Sequence, residues 1–213
     1  MTFRSLLDGF NKHFYENIWL YLATILFMAT GIIVGLYCVK YMGDAEKDSL
    51  VNYITLLSSS SAIDGLSNKE ILMGTLKNNL PIIIGFWFLG LTIVGAPMIM
   101  LLNIYKGFSL GFTFSFFIYG LKQRGLLLSI LAVLPQNIIY IPCLILLSVL
   151  ALQFSIGSVK EKFSKRIMTK PSDSVRSYTM MFICITGIMF IGFLFESFVT
   201  PGLIKFALKG LGV

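Results

Sequence analysis

Residues 18–39, IWLYLATILFMATGIIVGLYCV, run for 22 positions without one charged side chain. About 20 consecutive apolar residues in a helix cross the hydrocarbon core of a bilayer. The run shows none of the period-2 alternation that a barrel strand requires, so it reads as a transmembrane helix. Aromatic residues sit where a membrane interface would place them, with Trp19 and Tyr21 at one end and Tyr37 and Tyr41 at the other.

Working outward, four further apolar runs are expected to span, at 80–102, 103–121, 126–154 and 178–199. The fold class that follows is all-α, a polytopic transmembrane bundle of five spans making up a single membrane domain over 1–213. Composition agrees. Of the 213 residues, 56% are hydrophobic and only 13% are charged, against about 25% charged in an ordinary soluble domain.

The net charge of +7 raises the question of nucleic acid. The basic residues lie between apolar runs and form no stripe interleaved with aromatics, so no nucleic-acid partner is expected and the lipid bilayer takes that place. Cys38, Cys143 and Cys184 are odd in number, far apart in sequence and without a C-x-x-C, which gives neither a disulfide framework nor a zinc site. No cleavable signal peptide is expected, because the first run is too long and no A-x-A site follows it.

The polar segments fix an expected orientation. Lys160, Lys162, Lys165, Arg166, Lys170 and Arg176 face only Glu161 and Asp173 in the segment 155–177. So dense a positive loop stays in the cytoplasm. With five spans the N-terminus is then cytoplasmic and the C-terminus extracytoplasmic. The segment 1–17 reads as an amphipathic N-terminal helix, with Phe3, Leu6, Leu7, Phe10 and Phe14 on one face. The segment 40–79 reads as extracytoplasmic. Within it Leu50 to Leu57 has the pattern of a short helix, Ser58 to Ser61 forms a break, and Ser67 with Glu70 forms a capping box that opens a second helix.

Candidate functional positions come from polar groups inside apolar runs. The fourth run holds Pro135, Gln136, Asn137, Tyr140 and Pro142. Each proline frees the carbonyl four residues back, and the neighbouring amides are expected to satisfy it, predicting a kinked or broken helix. Glu196 is the one acidic residue inside an expected span, and an intramembrane carboxylate is a functional candidate by default. Lys106 falls at the start of the third run, whose unbroken apolar part begins only at Gly107, and reads as interfacial. Gly31 with Gly35, and Gly107 with Gly111 and Ser115, place small residues four apart, which permits close helix contact either within the bundle or across a homodimer.

No complete catalytic set is evident. His13 is the single histidine and lies outside the runs; no H-E-x-x-H or P-loop is present, and although Gly107-Phe-Ser-Leu-Gly111 has the G-x-S-x-G spacing, no run holds a histidine to serve a serine nucleophile. No catalytic residue, metal or cofactor is expected.

Several segments taken in order resemble the stage II sporulation protein M family. They are Phe10-Asn-Lys-His-Phe14, Gly95-Ala-Pro97, Lys106-Gly-Phe-Ser-Leu-Gly111, Leu134-Pro-Gln-Asn137 with Ile141-Pro142, and Phe195-Glu-Ser197. The resemblance implies a mother-cell and septal membrane protein acting in engulfment of the forespore. It implies a non-catalytic scaffold that localises two extracytoplasmic peptidoglycan-degrading partners, stage II sporulation proteins D and P. On that view 40–79 and the tail after Pro201 would meet the partners' ectodomains, and the faces of Gly107 and Gly111 would dock partner helices. The competing expectation is a permease subunit of an ABC-2-like transporter, with Gln136 and Asn137 lining a path.

Overall fold

The computed structural model describes residues 14–58, 67–164 and 171–202. The described part is helical apart from short turns, with five helices long and apolar enough to span a membrane. The amphipathic face of residues 1–13, the serines after Ser58, the centre of the basic segment at 165–170 and the tail after Gly202 lie outside the described residues.

In chain order, α1 is Ile18–Tyr41, α2 is Asp44–Ser58, α3 is Asn68–Gly90, α4 is Gly95–Ser164 and α5 is Pro171–Phe198. Helix α2 contains the short helix read from Leu50 to Leu57. Helix α3 begins where its capping box lies: the Ser67 hydroxyl accepts from the Lys69 N–H at 3.4 Å, and the Ser67 N–H donates to the Glu70 carboxylate at 2.9 Å.

The second span is Asn68–Gly90, not 80–102, and the third is Gly95–Tyr119, not 103–121. The chain turns at Leu91–Val94, inside the run expected to be continuous. Hydropathy alone misses this turn because it is itself apolar, and the polar triplet Lys77-Asn78-Asn79 looks like a loop. The turn is built on Gly95, where a Cβ would collide with the Leu89 carbonyl oxygen.

Helix α4 is assigned without interruption over 70 residues. A straight helix would hold Asn103 and Ser148 about 68 Å apart at 1.5 Å per residue. Their side chains instead hydrogen-bond at 2.6 Å, and the Ser129 hydroxyl donates to the Phe114 carbonyl at 3.4 Å. The chain therefore doubles back between Phe114 and Ser129, and α4 is two antiparallel limbs. The second limb carries the span Val133–Val159. It stays helical through Pro135 and Pro142.

Contacts between spans order their ends. Ser155 donates to the Thr92 carbonyl at 2.8 Å, and Tyr178 to the Trp87 carbonyl at 3.1 Å. The turn at Leu91–Val94, the end of the second limb and the start of α5 thus share one face of the bundle. Helix α1 runs parallel to the first limb of α4, with Gly31 against Ile104 and Phe108, and Gly35 against Phe108, Gly111 and Phe112. Ile18 therefore belongs to that same face. The opposite face carries Tyr41, α2, the start of α3, the reversal in α4 and the end of α5. The two ends of the spanning bundle are on opposite faces.

The α1–α4 contact is made by backbone. A Cβ on Gly107 would strike the Met28 carbonyl oxygen, and one on Gly111 the Ile32 carbonyl oxygen; Ser115 continues the stripe by donating to the Leu36 carbonyl at 3.2 Å. The small residues of both helices are spent on each other. Gly107 and Gly111 are not a free face for a partner helix or a homodimer, which corrects the docking role expected of them.

Candidate functional site: a polar cleft between four spans

Asn79 lies 11 residues before the end of α3, and Lys106 lies 11 residues after the start of α4. Two helices folded about a short turn bring such positions level. The Lys106 ammonium donates to Asn79 Oδ1 at 2.7 Å, while Asn79 Nδ2 donates to the Thr75 carbonyl at 3.0 Å. Eleven residues of helix place this pair about 16 Å from the turn, close to half the roughly 30 Å hydrocarbon thickness. Lys106 is therefore an intramembrane cation, half-buried in the middle of its span, and not an interfacial residue in a loop.

From the other side of the bundle, the Tyr140 hydroxyl donates to a Glu196 carboxylate oxygen at 2.5 Å. One turn further along, Thr200 donates to Gln136 Oε1 at 3.1 Å. Asn137 turns back on its own helix, donating to the Val133 carbonyl at 2.6 Å. Asn137 and Tyr140 thus do not serve the Leu131 and Ile138 carbonyls that the prolines release, contrary to expectation. Pro142 faces outward, exposed, and Pro135 is half-buried. Neither proline lines the cleft, although their neighbours do.

Lys106, Asn78, Asn79, Gln136, Asn137, Tyr140 and Glu196 line one cavity of about 530 Å³, together with Ser109, Thr113 and Thr200. Ile71, Phe117, Val133 and Pro201 also line it, so it opens toward the face that carries the start of α3 and the end of α5. The Glu196 carboxylate and the Lys106 ammonium line the same cavity, but the two do not form an ion pair within 4.0 Å. Among the described residues that distance is met by Lys47 and Asp44, on the surface.

The cleft has a floor. Seven residues along each of the four helices, about 10.5 Å, bring Asn79 to Phe86, Lys106 to Ile99, Tyr140 to Leu147 and Glu196 to Met189. All four of these side chains are 0% exposed. A polar layer open to one face rests on an apolar layer closed to both.

The segments Lys106 to Gly111, Leu134 to Asn137 and Phe195 to Ser197 meet at this cleft or at the α1–α4 contact beside it. The stage II sporulation protein M family profile matches residues 23–201, which reaches from within the first span to the end of the fifth. The chain belongs to that family. No curated protein and no solved structure gives a significant match. The family membership makes the chain a membrane protein of a sporulation family.

Sequence reading had singled out Gln136, Asn137 and Glu196 separately, and the stage II sporulation protein M fold brings all three together. It missed Asn79 and misplaced Lys106, because both depend on where the α3–α4 turn falls. Gly95-Ala-Pro97 was the available signal for that turn. Among the described residues no three His, Cys, Asp or Glu side chains gather as metal ligands would.

Proposed function

We propose that the chain is a non-catalytic membrane scaffold that recruits and localises peptidoglycan-degrading partners, stage II sporulation proteins D and P, at the septal membrane during forespore engulfment. Its family membership supports the biological setting. The single structural observation that favours a holding role over conduction is the apolar layer of Phe86, Ile99, Leu147 and Met189 beneath the polar cleft. Polar solutes need water or polar partners along a membrane path; these four side chains supply neither, and the Asn103 and Ser148 side chains beside them are buried and bonded to each other.

The positive-inside argument puts the 155–177 segment in the cytoplasm. The face bearing α2 and the cleft mouth is then extracytoplasmic, the side on which wall-degrading partners work. Helix α2 displays Asp44, Glu46 and Asp48 there, all exposed.

The polar cleft itself favours a second reading, a permease-like subunit in which the cleft is one half of a gated path. One experiment separates the two. The protein is purified in mild detergent from sporulating cells and its companions are identified by mass spectrometry. Peptidoglycan hydrolases without an ATPase are expected. A nucleotide-binding subunit in their place would reject the scaffold and favour the permease.

A further inference from the structure

The cleft holds two opposite charges, and each is met by a neutral group. The Lys106 ammonium carries three donors and spends one on Asn79 Oδ1. The Glu196 carboxylate has acceptor capacity for several bonds and receives one, from Tyr140. Both line the same cavity, and they are more than an ion-pair distance from each other. Charges within a bundle at bilayer depth are costly unless matched. The cheapest match is a single small molecule that brings an oxyanion to the ammonium and an ammonium to the carboxylate.

We propose that the cleft between α3, both limbs of α4 and α5 is a binding site for a zwitterion, its acidic group on Lys106 and its primary ammonium on Glu196. Charge sets the class. A simple anion would meet Glu196, and a simple cation would meet Lys106, so either leaves one charge repelled. The remaining lining, the amides of Asn78 and Asn137 and the hydroxyls of Ser109 and Thr113, offers donors and acceptors without adding charge. The volume, about 530 Å³, falls within the roughly 300–1,000 Å³ of small-molecule sites. The apolar floor makes the cleft a dead end, which suits retention of a ligand rather than its passage. Two sources share this chemistry: the headgroup of an ethanolamine phospholipid, and a free water-borne zwitterion entering from the open face.

The test uses the full-length protein in mild detergent. Native mass spectrometry follows retention of phosphatidylethanolamine, phosphatidylcholine and phosphatidylglycerol at equal concentration, and calorimetry follows free phosphoethanolamine. The wild type is expected to prefer phosphatidylethanolamine, or to bind free phosphoethanolamine, by roughly tenfold or more over the other probes, a difference of about 1.4 kcal/mol. Phosphatidylglycerol lacks the ammonium, and phosphatidylcholine has no N–H to donate to Glu196. Retention of the lipid without competition by phosphoethanolamine assigns the headgroup; competition assigns the water-borne source. Lys106→Met and Glu196→Gln should each erase the preference. Thr113→Leu, which fills the cleft and leaves both charges in place, should erase it too, and serves if a charge variant does not fold. Equal retention of phosphatidylethanolamine and phosphatidylglycerol without phosphoethanolamine binding, or a preference that survives in the folded variants, overturns the proposal.

Discussion

The Tyr140 hydroxyl stands 2.5 Å from the Glu196 carboxylate, joining the second limb of α4 to α5 across 56 residues of sequence. Gly192, one turn before Glu196, makes room for it: a Cβ there would press into the Tyr140 ring. The ring also packs on Phe193 at 5.4 Å between centroids. One contact therefore combines a charge-assisted hydrogen bond, a ring pair and a small residue, and it sets how deep the only carboxylate of α5's interior lies.

Removing the Tyr140 hydroxyl should be felt as loss of a bond to a charge. Tyr140→Phe keeps the ring and strips the donor, and should cost about 2 kcal/mol, within the range for hydrogen bonds to ionised groups. Glu196→Gln removes the charge and keeps an acceptor, so it should cost less. In the double variant the two effects should not add, because the interaction is shared. Thermal unfolding in detergent checks all three; a Glu196→Gln cost above that of Tyr140→Phe would contradict the assignment.

The glycines divide into two kinds, and substitution should separate them. Gly107 and Gly111 touch α1 backbone, and Gly31 touches α4 backbone, so an added Cβ cannot be absorbed by a side-chain movement. Gly111→Ala should cost at least about 1–3 kcal/mol, the usual range for overpacking, and Gly111→Leu should abolish the monodisperse peak on size exclusion. Gly187 in α5 has open space where its Cβ would be. Gly187→Ala should be neutral or stabilising by up to about 1 kcal/mol, from helix propensity alone. Equal effects at Gly111 and Gly187 would mean that α1 does not pack on α4 as described.

How much of this was legible beforehand follows from what each feature depends on. Helix class and the number of spans depend on local hydropathy, and the five apolar runs declare both. The capping box at Ser67 and Glu70 is a four-residue signal and was readable. The turn at Leu91–Val94 was not, because an apolar turn between two apolar helices leaves hydropathy unchanged. That one missed break shifted the second span and left Lys106 outside the membrane. The paired faces of Gly31/Gly35 and Gly107/Gly111 were visible as spacing, but spacing does not say which partner a small-residue face meets. The cleft needed all of these together, since its residues come from four spans separated by up to 130 positions, from Ile71 to Pro201.

Asn103 bridges the two limbs of α4 and is 1% exposed. Its amide nitrogen donates to the Ser148 hydroxyl at 2.6 Å and to the Ile99 carbonyl at 2.9 Å, while its oxygen has no protein partner. Ser148→Ala should cost about 0.6–1.7 kcal/mol, the measured range for interhelical hydrogen bonds in membranes. Asn103→Leu removes the unmatched oxygen as well and should cost no more than Ser148→Ala. Unfolding midpoints of the two variants decide it: a larger loss in Asn103→Leu would mean that the buried oxygen is satisfied.

The order of the span ends gives the last prediction, one that tests the doubling back of α4. If α4 reverses between Phe114 and Ser129, Val94 lies on the face opposite Asn52 of α2 and Gly202 at the end of the fifth span. All three are exposed, and single cysteines there, in a background with Cys38, Cys143 and Cys184 replaced, should accept a membrane-impermeant maleimide. Asn52→Cys and Gly202→Cys should label in intact cells, and Val94→Cys only after the membrane is opened, because the basic segment that shares the Val94 face holds it in the cytoplasm. Labelling of Val94→Cys and Gly202→Cys from the same side would require α4 to cross once instead of twice, and would dismantle the cleft with it.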